Sequence, residues 1–148
     1  MKIALGADHA GYALKEHLRS WLAERGWGVQ DFGTFSAEPA DYPDLAEAVA
    51  RSVARGEEPL GILVCGSGTG MAIAANKIRG ARAANCFDIT SARLARAHND
   101  ANVLALGSRL IGQGLAEEIA ETFLSTPFEG GRHARRVGKI SALEPDSE

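Results

Sequence analysis

Leu60-Gly-Ile-Leu-Val-Cys65-Gly-Ser-Gly-Thr-Gly70-Met-Ala-Ile-Ala-Ala-Asn-Lys77 decides how this chain folds. A short apolar run ends in a cysteine, glycines follow at every second position, and a helical pattern starts at once. The run reads as a buried strand over Leu60–Cys65, with the Cys65 thiol at its carboxyl end. Gly66, Gly68 and Gly70 let backbone amides approach whatever sits above that thiol. Bare amides beside a helix start attract anions and favour a thiolate over a thiol. A nucleophile or base beside an anion hole is the chemistry this pattern implies. A buried structural thiol at a strand end is the plainer alternative.

Outward from this stretch, apolar runs alternate with amphipathic ones. Strands are expected at Lys2–Gly6, Trp27–Phe32, Ala81–Phe87 and Asn102–Leu106. Helices are expected from Ala10 to Gly26, from Asp41 as N-cap with Pro43 in the first turn to Gly56, and at Thr69–Ile78, Thr90–His98 and Gln113–Leu124. Gly130-Gly131 opens a basic segment, Arg132–Lys139, read as a last short helix. Ser141–Glu148 lacks apolar content and is expected to fray. Alternation of this kind means βαβ units, hence a three-layer αβα Rossmann-like domain with a five-stranded, mostly parallel sheet. One domain over residues 1–140 is expected.

The 148 residues are 45% hydrophobic and 24% charged, as in an ordinary globule with a real core. A formal net charge of −3 argues against a nucleic-acid partner. No run approaches the ~20 apolar residues that span a bilayer. Met1–Gly11 turns polar too early for a signal peptide. Two cysteines, Cys65 and Cys86, suggest reduced thiols in a cytoplasm and not a disulfide framework.

Ligands of open α/β sheets bind beyond the carboxyl ends of the strands. Asp8-His9, Cys65–Gly70 and Ser108-Arg109 all fall there. Nucleotide readings fit poorly: Gly66 and Gly68 match a dinucleotide fingerprint and Asp88 stands where its acid would, but Met71 replaces the third glycine. Gly6–Gly11 resembles a phosphate loop but has Tyr12 where lysine is required. Each polar residue also has a structural reading: Asp8 as a helix cap, His98 as a helix C-terminal partner, Asn99 and Asn102 as turn residues, and 132–136 as a solvated basic run. Arg132 and Arg136, four apart, share a helix face and can grip one phosphate together. The histidines His9, His17, His98 and His133 lack ligand spacing, so no metal site is expected.

Gly6-Ala-Asp8-His9-Ala-Gly11, Asp41-Tyr42-Pro43, Cys65-Gly-Ser-Gly-Thr-Gly70, Ala74-Ala-Asn76-Lys77, His98-Asn99-Asp100-Ala-Asn102, Gly107-Ser-Arg109 and Gly130-Gly-Arg132-His133 occur in register from Lys2 to about Ile140. Together they resemble the type B ribose-5-phosphate isomerases, a family that also includes allose- and galactose-6-phosphate isomerases. The resemblance implies aldose–ketose isomerisation through an enediolate, without a cofactor. It assigns the base to Cys65 and ring opening to His98. It assigns enediolate stabilisation to the amides of Gly66, Ser67, Gly68, Thr69 and Gly70. Asp8 and Asn99 would hold sugar hydroxyls, and His9, Arg109, Arg132 and Arg136 the phosphate. Some members use a glutamate just after the glycine loop as base; here Met71 stands there, which leaves the duty to Cys65. A six-carbon substrate and a non-catalytic phosphosugar-binding module remain as alternatives.

One expectation follows from geometry. His98 precedes the fifth strand and so belongs at the amino edge of the sheet, whereas Cys65 lies at the carboxyl edge. A five-residue strand separates the edges by roughly 17 Å. A second subunit should therefore bring His98 to Cys65, making a homodimer or homotetramer with shared active sites.

Overall fold

The computed structural model describes residues 1–145. Five strands, β1 (Lys2–Ala7), β2 (Gly28–Asp31), β3 (Leu60–Cys65), β4 (Ala83–Asn85) and β5 (Val103–Gly107), alternate with helices α1 (Tyr12–Glu24), α2 (Tyr42–Ala54), α3 (Thr69–Ala75), α4 (Ile89–Asn99) and α5 (Gln113–Ser125). A sixth helix, α6 (Arg132–Ser141), follows. The sheet runs β2-β1-β3-β5-β4, and every pairing is parallel.

Alternation along the strands builds two cores, because successive side chains leave opposite faces of a sheet. Ile3, Leu5, Ile62, Val64, Leu104 and Leu106 meet Leu14, Leu18 and Leu22 of α1 and Ile119 and Phe123 of α5. Ala4, Leu63, Cys65, Val103 and Ala105 face Val49, Ala50 and Val53 of α2 and Met71, Ala72 and Ala75 of α3. Residues on the second face are smaller, so α2 lies close to the sheet. A Cβ added at Gly61 would come within 2.7 Å of the Val49 side chain.

The strand order places a topological switch between β1 and β3. From β1 the chain steps outward to β2, then returns to the other side of β1 as β3. α1 and α2 consequently leave opposite faces and open a crevice above the carboxyl ends of β1 and β3. Asp8 and Cys65 border that crevice.

Several boundaries differ from expectation for local reasons. α1 starts at Tyr12 because the Asp8 carboxylate accepts the Gly11 N–H at 3.0 Å and holds Ala10 outside the helix. Asp41 occupies the N-cap of α2, but its side chain makes no capping bond. α3 stops at Ala75: the Asn76 side chain bonds both the N–H and the carbonyl of Ala83, at 2.7 and 3.0 Å. The same bonds shorten edge strand β4, whose entry is also held by Asn102 Oδ1 accepting from the Arg82 N–H at 2.7 Å. Of the segment expected to fray, 141–148, the structure describes 141–145. Ser141 closes α6, and the Glu144 carboxylate accepts the Gly80 N–H at 3.0 Å. Residues 146–148 of that expectation lie outside the described residues.

Candidate active site

At the end of β3 the Cys65 side chain is 5% exposed and turns towards the α2/α3 face. The loop that follows folds back over it. Gly68 adopts φ +82, and its N–H donates to Cys65 Sγ at 3.2 Å. Only glycine is comfortable here. Besides the left-handed backbone, a Cβ would lie 2.4 Å from the Asn85 side chain and 2.9 Å from the Leu106 carbonyl carbon. Asn85 steadies the loop through a 3.1 Å hydrogen bond to Thr69 Oγ1. Gly107 of β5 permits close approach from below, since a Cβ there would meet the Ser67 carbonyl at 2.5 Å.

Three loops converge on Cys65. A cleft of about 440 Å³ is lined by Asp8, His9, Tyr42, Cys65, Gly70 and Arg109, with Gly66, Ser67, Ala10 and Leu110 completing its walls. The Cys65 and Gly66 carbonyls accept the Ser108 and Arg109 N–H groups at 2.8 and 3.0 Å, which ties the β3 and β5 loops together. Ser108 Oγ donates to the Ala10 carbonyl at 2.8 Å and adds the β1 loop. The Arg109 side chain lies along Gly66, where a Cβ would sit 3.5 Å from its guanidinium. His9 is exposed, and its Nδ1 accepts the Ala40 N–H at 3.1 Å. The cleft thus offers a thiol under a backbone donor, one carboxylate, one imidazole and one guanidinium. Those are the groups needed to hold an anion and move a proton beside it.

His98, Asn99, Arg132 and Arg136 do not line this cleft. They gather at the other edge of the sheet, where α6 sits on α4. The His98 and His133 rings stack in parallel, with centroids 4.2 Å apart and 7° between planes. Glu129 Oε1 stands 3.8 Å from His98 Nε2 and 3.6 Å from His133 Nε2. Burial first, then His98 and Arg132 nearby, pushes the His133 imidazole below the usual histidine range. Two of the histidines expected to be scattered therefore meet, and with Glu129 their donor atoms lie within 4.8 Å of one another. Stacking nevertheless argues against a shared ion. Imidazole lone pairs lie in the ring plane, and two parallel planes do not direct theirs to one point.

A larger depression, about 840 Å³, lies beside this second group, between α3, β4 and the end of α6. It contains Asn99 but neither Cys65 nor any residue of the glycine loop, so the chemistry selects the smaller cleft. His17 pairs with Glu117 at 2.6 Å and joins α1 to α5. Cys86 is buried, which pushes its thiol pKa up. Tyr42, Asn85 and Leu110 were not expected at the site. Tyr42 carried the one available signal, because it stands in the Asp41-Tyr42-Pro43 motif.

This parallel αβα fold, with a thiol at the switch point, belongs to the Ribose/Galactose Isomerase family, which the chain matches over residues 3–140. It is 52% identical to ribose-5-phosphate isomerase B of Escherichia coli over 143 residues, 97% of this chain and 96% of the relative. Among solved structures it resembles a ribose 5-phosphate isomerase of Thermotoga maritima, with 54% identity, a TM-score of 0.94, and 96% and 98% of the two chains covered. The ribose-5-phosphate isomerase B of Mycoplasma genitalium with bound ribulose-5-phosphate is similar at 40% identity, a TM-score of 0.93, and 99% and 97% coverage.

Proposed function

We propose that this protein interconverts ribose 5-phosphate and ribulose 5-phosphate, with Cys65 as the base. The observation that carries the mechanism is the Gly68 N–H on Cys65 Sγ, in a cleft that also holds Asp8, His9 and Arg109. With the sugar ring open, the Cys65 thiolate takes the proton from C2. The electron pair moves into a C1–C2 double bond and leaves negative charge on O1. Fixed backbone donors of the Gly66–Gly70 loop stabilise that enediolate without reorganising. A proton passes from O2 to O1 and shifts the charge to O2; as the C2 carbonyl then forms, C1 takes the proton back from the thiol and the ketose results. His9 and Arg109 hold the phosphate, and Asp8 a hydroxyl. Every electron stays within the substrate, so the reaction needs no redox cofactor.

Ring opening by His98, hydroxyl contact by Asn99 and phosphate contact by Arg132 and Arg136 come from a second copy. Topology supports this. β5 is parallel to β3, with Cys65 beside Gly107, while His98 precedes β5. Ile78, Ala81, Ile140 and Leu143, in the groove next to Asn99, supply apolar surface for such a neighbour. Two free thiols fit a reducing cytoplasm. Among the described residues, no helix is long and apolar enough to cross a membrane.

The test is an isomerase assay with ribose 5-phosphate, set against allose and galactose 6-phosphates. Wild type should prefer the five-carbon sugar. Cys65→Ala should lose roughly 10²–10⁴-fold in turnover, the usual contribution of a positioned base, while still binding substrate. Negligible turnover of all three sugars by wild type would leave a phosphosugar-binding module as the better description.

A further inference from the structure

We propose that the backbone N–H of Ala40 sets the tautomer of His9, keeping Nε2–H as the donor offered to a phosphate in the Cys65 cleft. This rests on the phosphosugar reading above. A neutral imidazole carries one proton, and the hydrogen bond made by one nitrogen decides which nitrogen holds it. Ala40 N–H points at His9 Nδ1 over 3.1 Å, so Nδ1 is the acceptor and the proton sits on Nε2. The opposite tautomer would present a lone pair to an anion.

Ala40 can hold that ring only if its own loop is held, and both ends are. At the start, Lys15 is fully buried, and its Nζ donates to the Thr34 carbonyl at 2.7 Å and to both Asp31 carboxylate oxygens at 2.8 and 3.0 Å. The rings of Tyr12 and Phe35 flank the ammonium at 5.4 and 5.1 Å. Asp31 Oδ1 also accepts the Gly33 N–H at 2.9 Å. The Gly33 carbonyl and Thr34 N–H each bond Ala7 at 2.6 Å, one residue before Asp8. At the far end, two residues past Ala40, the Tyr42 ring covers Gly70 so closely that a Cβ there would sit 2.6 Å from it. The loop is thus a brace between the β1 end and the glycine loop, and Ala40 is its point of contact with the phosphate-binding histidine.

The experiment uses full-length protein with ¹⁵N-labelled histidine at pH 8, where an ordinary imidazole is neutral. Two-bond ¹⁵N–¹H correlations read the His9 tautomer, and inorganic phosphate is titrated in parallel. Wild type should show Nε2–H, and Ala40→Gly, which keeps the amide, should too. Ala40→Pro, which deletes the donor, should mix the tautomers. It should also weaken phosphate binding in proportion to the Nε2–H population lost, about twofold for an even mixture. If the proline disturbs folding, a backbone ester at position 40 removes the same N–H without a ring. Wild-type His9 protonated at Nδ1 would overturn the proposal. So would a donor-deleted variant in which His9 keeps Nε2–H alone, or one with mixed tautomers that binds phosphate as tightly as wild type. Wild type with Nε2–H that binds no phosphate would defeat the phosphosugar reading, and with it the donor role.

Discussion

Two cysteines in one small chain have opposite surroundings. Cys65 accepts a backbone N–H and borders a cleft, whereas Cys86 is 1% exposed and its thiol is pushed up by burial. Reactivity follows the thiolate, so iodoacetamide should label Cys65 first. Peptide mass spectrometry at pH 8 should find the label on Cys65, with Cys86 unlabelled until the protein unfolds. Phosphosugar should slow the labelling. Preferential labelling of Cys86 would contradict the assignment of the base. The placement of Cys65 under a glycine loop was legible from the sequence, because an apolar run that ends at alternating glycines marks a strand end with a tight turn. Asn85 was not, because an asparagine on a short edge strand carries no local mark of the loop it steadies.

At the scale of elements, the α1–β2 junction depends on a buried cation. Lys15 joins Asp31 and the Thr34 carbonyl with no exposed surface of its own, and Asp31 keeps little. Removing one member of a buried pair leaves the other charge without compensation, at a cost of about 3–5 kcal/mol. Lys15→Met should lower unfolding stability by about 3 kcal/mol in a denaturant titration. A change below about 0.5 kcal/mol would mean that water reaches Asp31 freely. By spacing, Lys15, Glu16 and Arg19 fall to one side of the apolar positions Leu14, Leu18 and Leu22 of α1. Helical periodicity sorts residues by angle alone, so it could not show that β2 and its loop wrap round that side. Strand β3 was read to the residue, since a run of six buried apolar positions ending at a glycine loop leaves little freedom. β4 was overextended at its start, because the Asn76 and Asn102 side chains take the backbone groups of Ala83 and Arg82.

For the whole molecule, the proposed two-copy site makes a mixing experiment decisive. Cys65→Ala and His98→Asn should each be nearly inactive alone. If each site takes its thiol from one copy and its imidazole from another, unfolding and refolding the two together should restore roughly a quarter of wild-type turnover. Half of the random dimers would then be mixed, each with one intact site out of two. No recovery, with mixed dimers verified by mass, would place both residues in a single-copy site. Residue order and spacing were enough to read the alternation of strands and helices, the two-faced core and the thiol with its glycine loop. Those follow from patterns a few residues long: side-chain periodicity, strand-end glycines and an apolar run. They also put Asp8, His9 and Arg109 at the same edge as Cys65, but the stacking of His98 on His133 and the reach of the Ala40 N–H to His9 came from the folded chain. Those contacts join residues far apart in the chain, and their geometry exists only once parallel strands have set which loops share an edge.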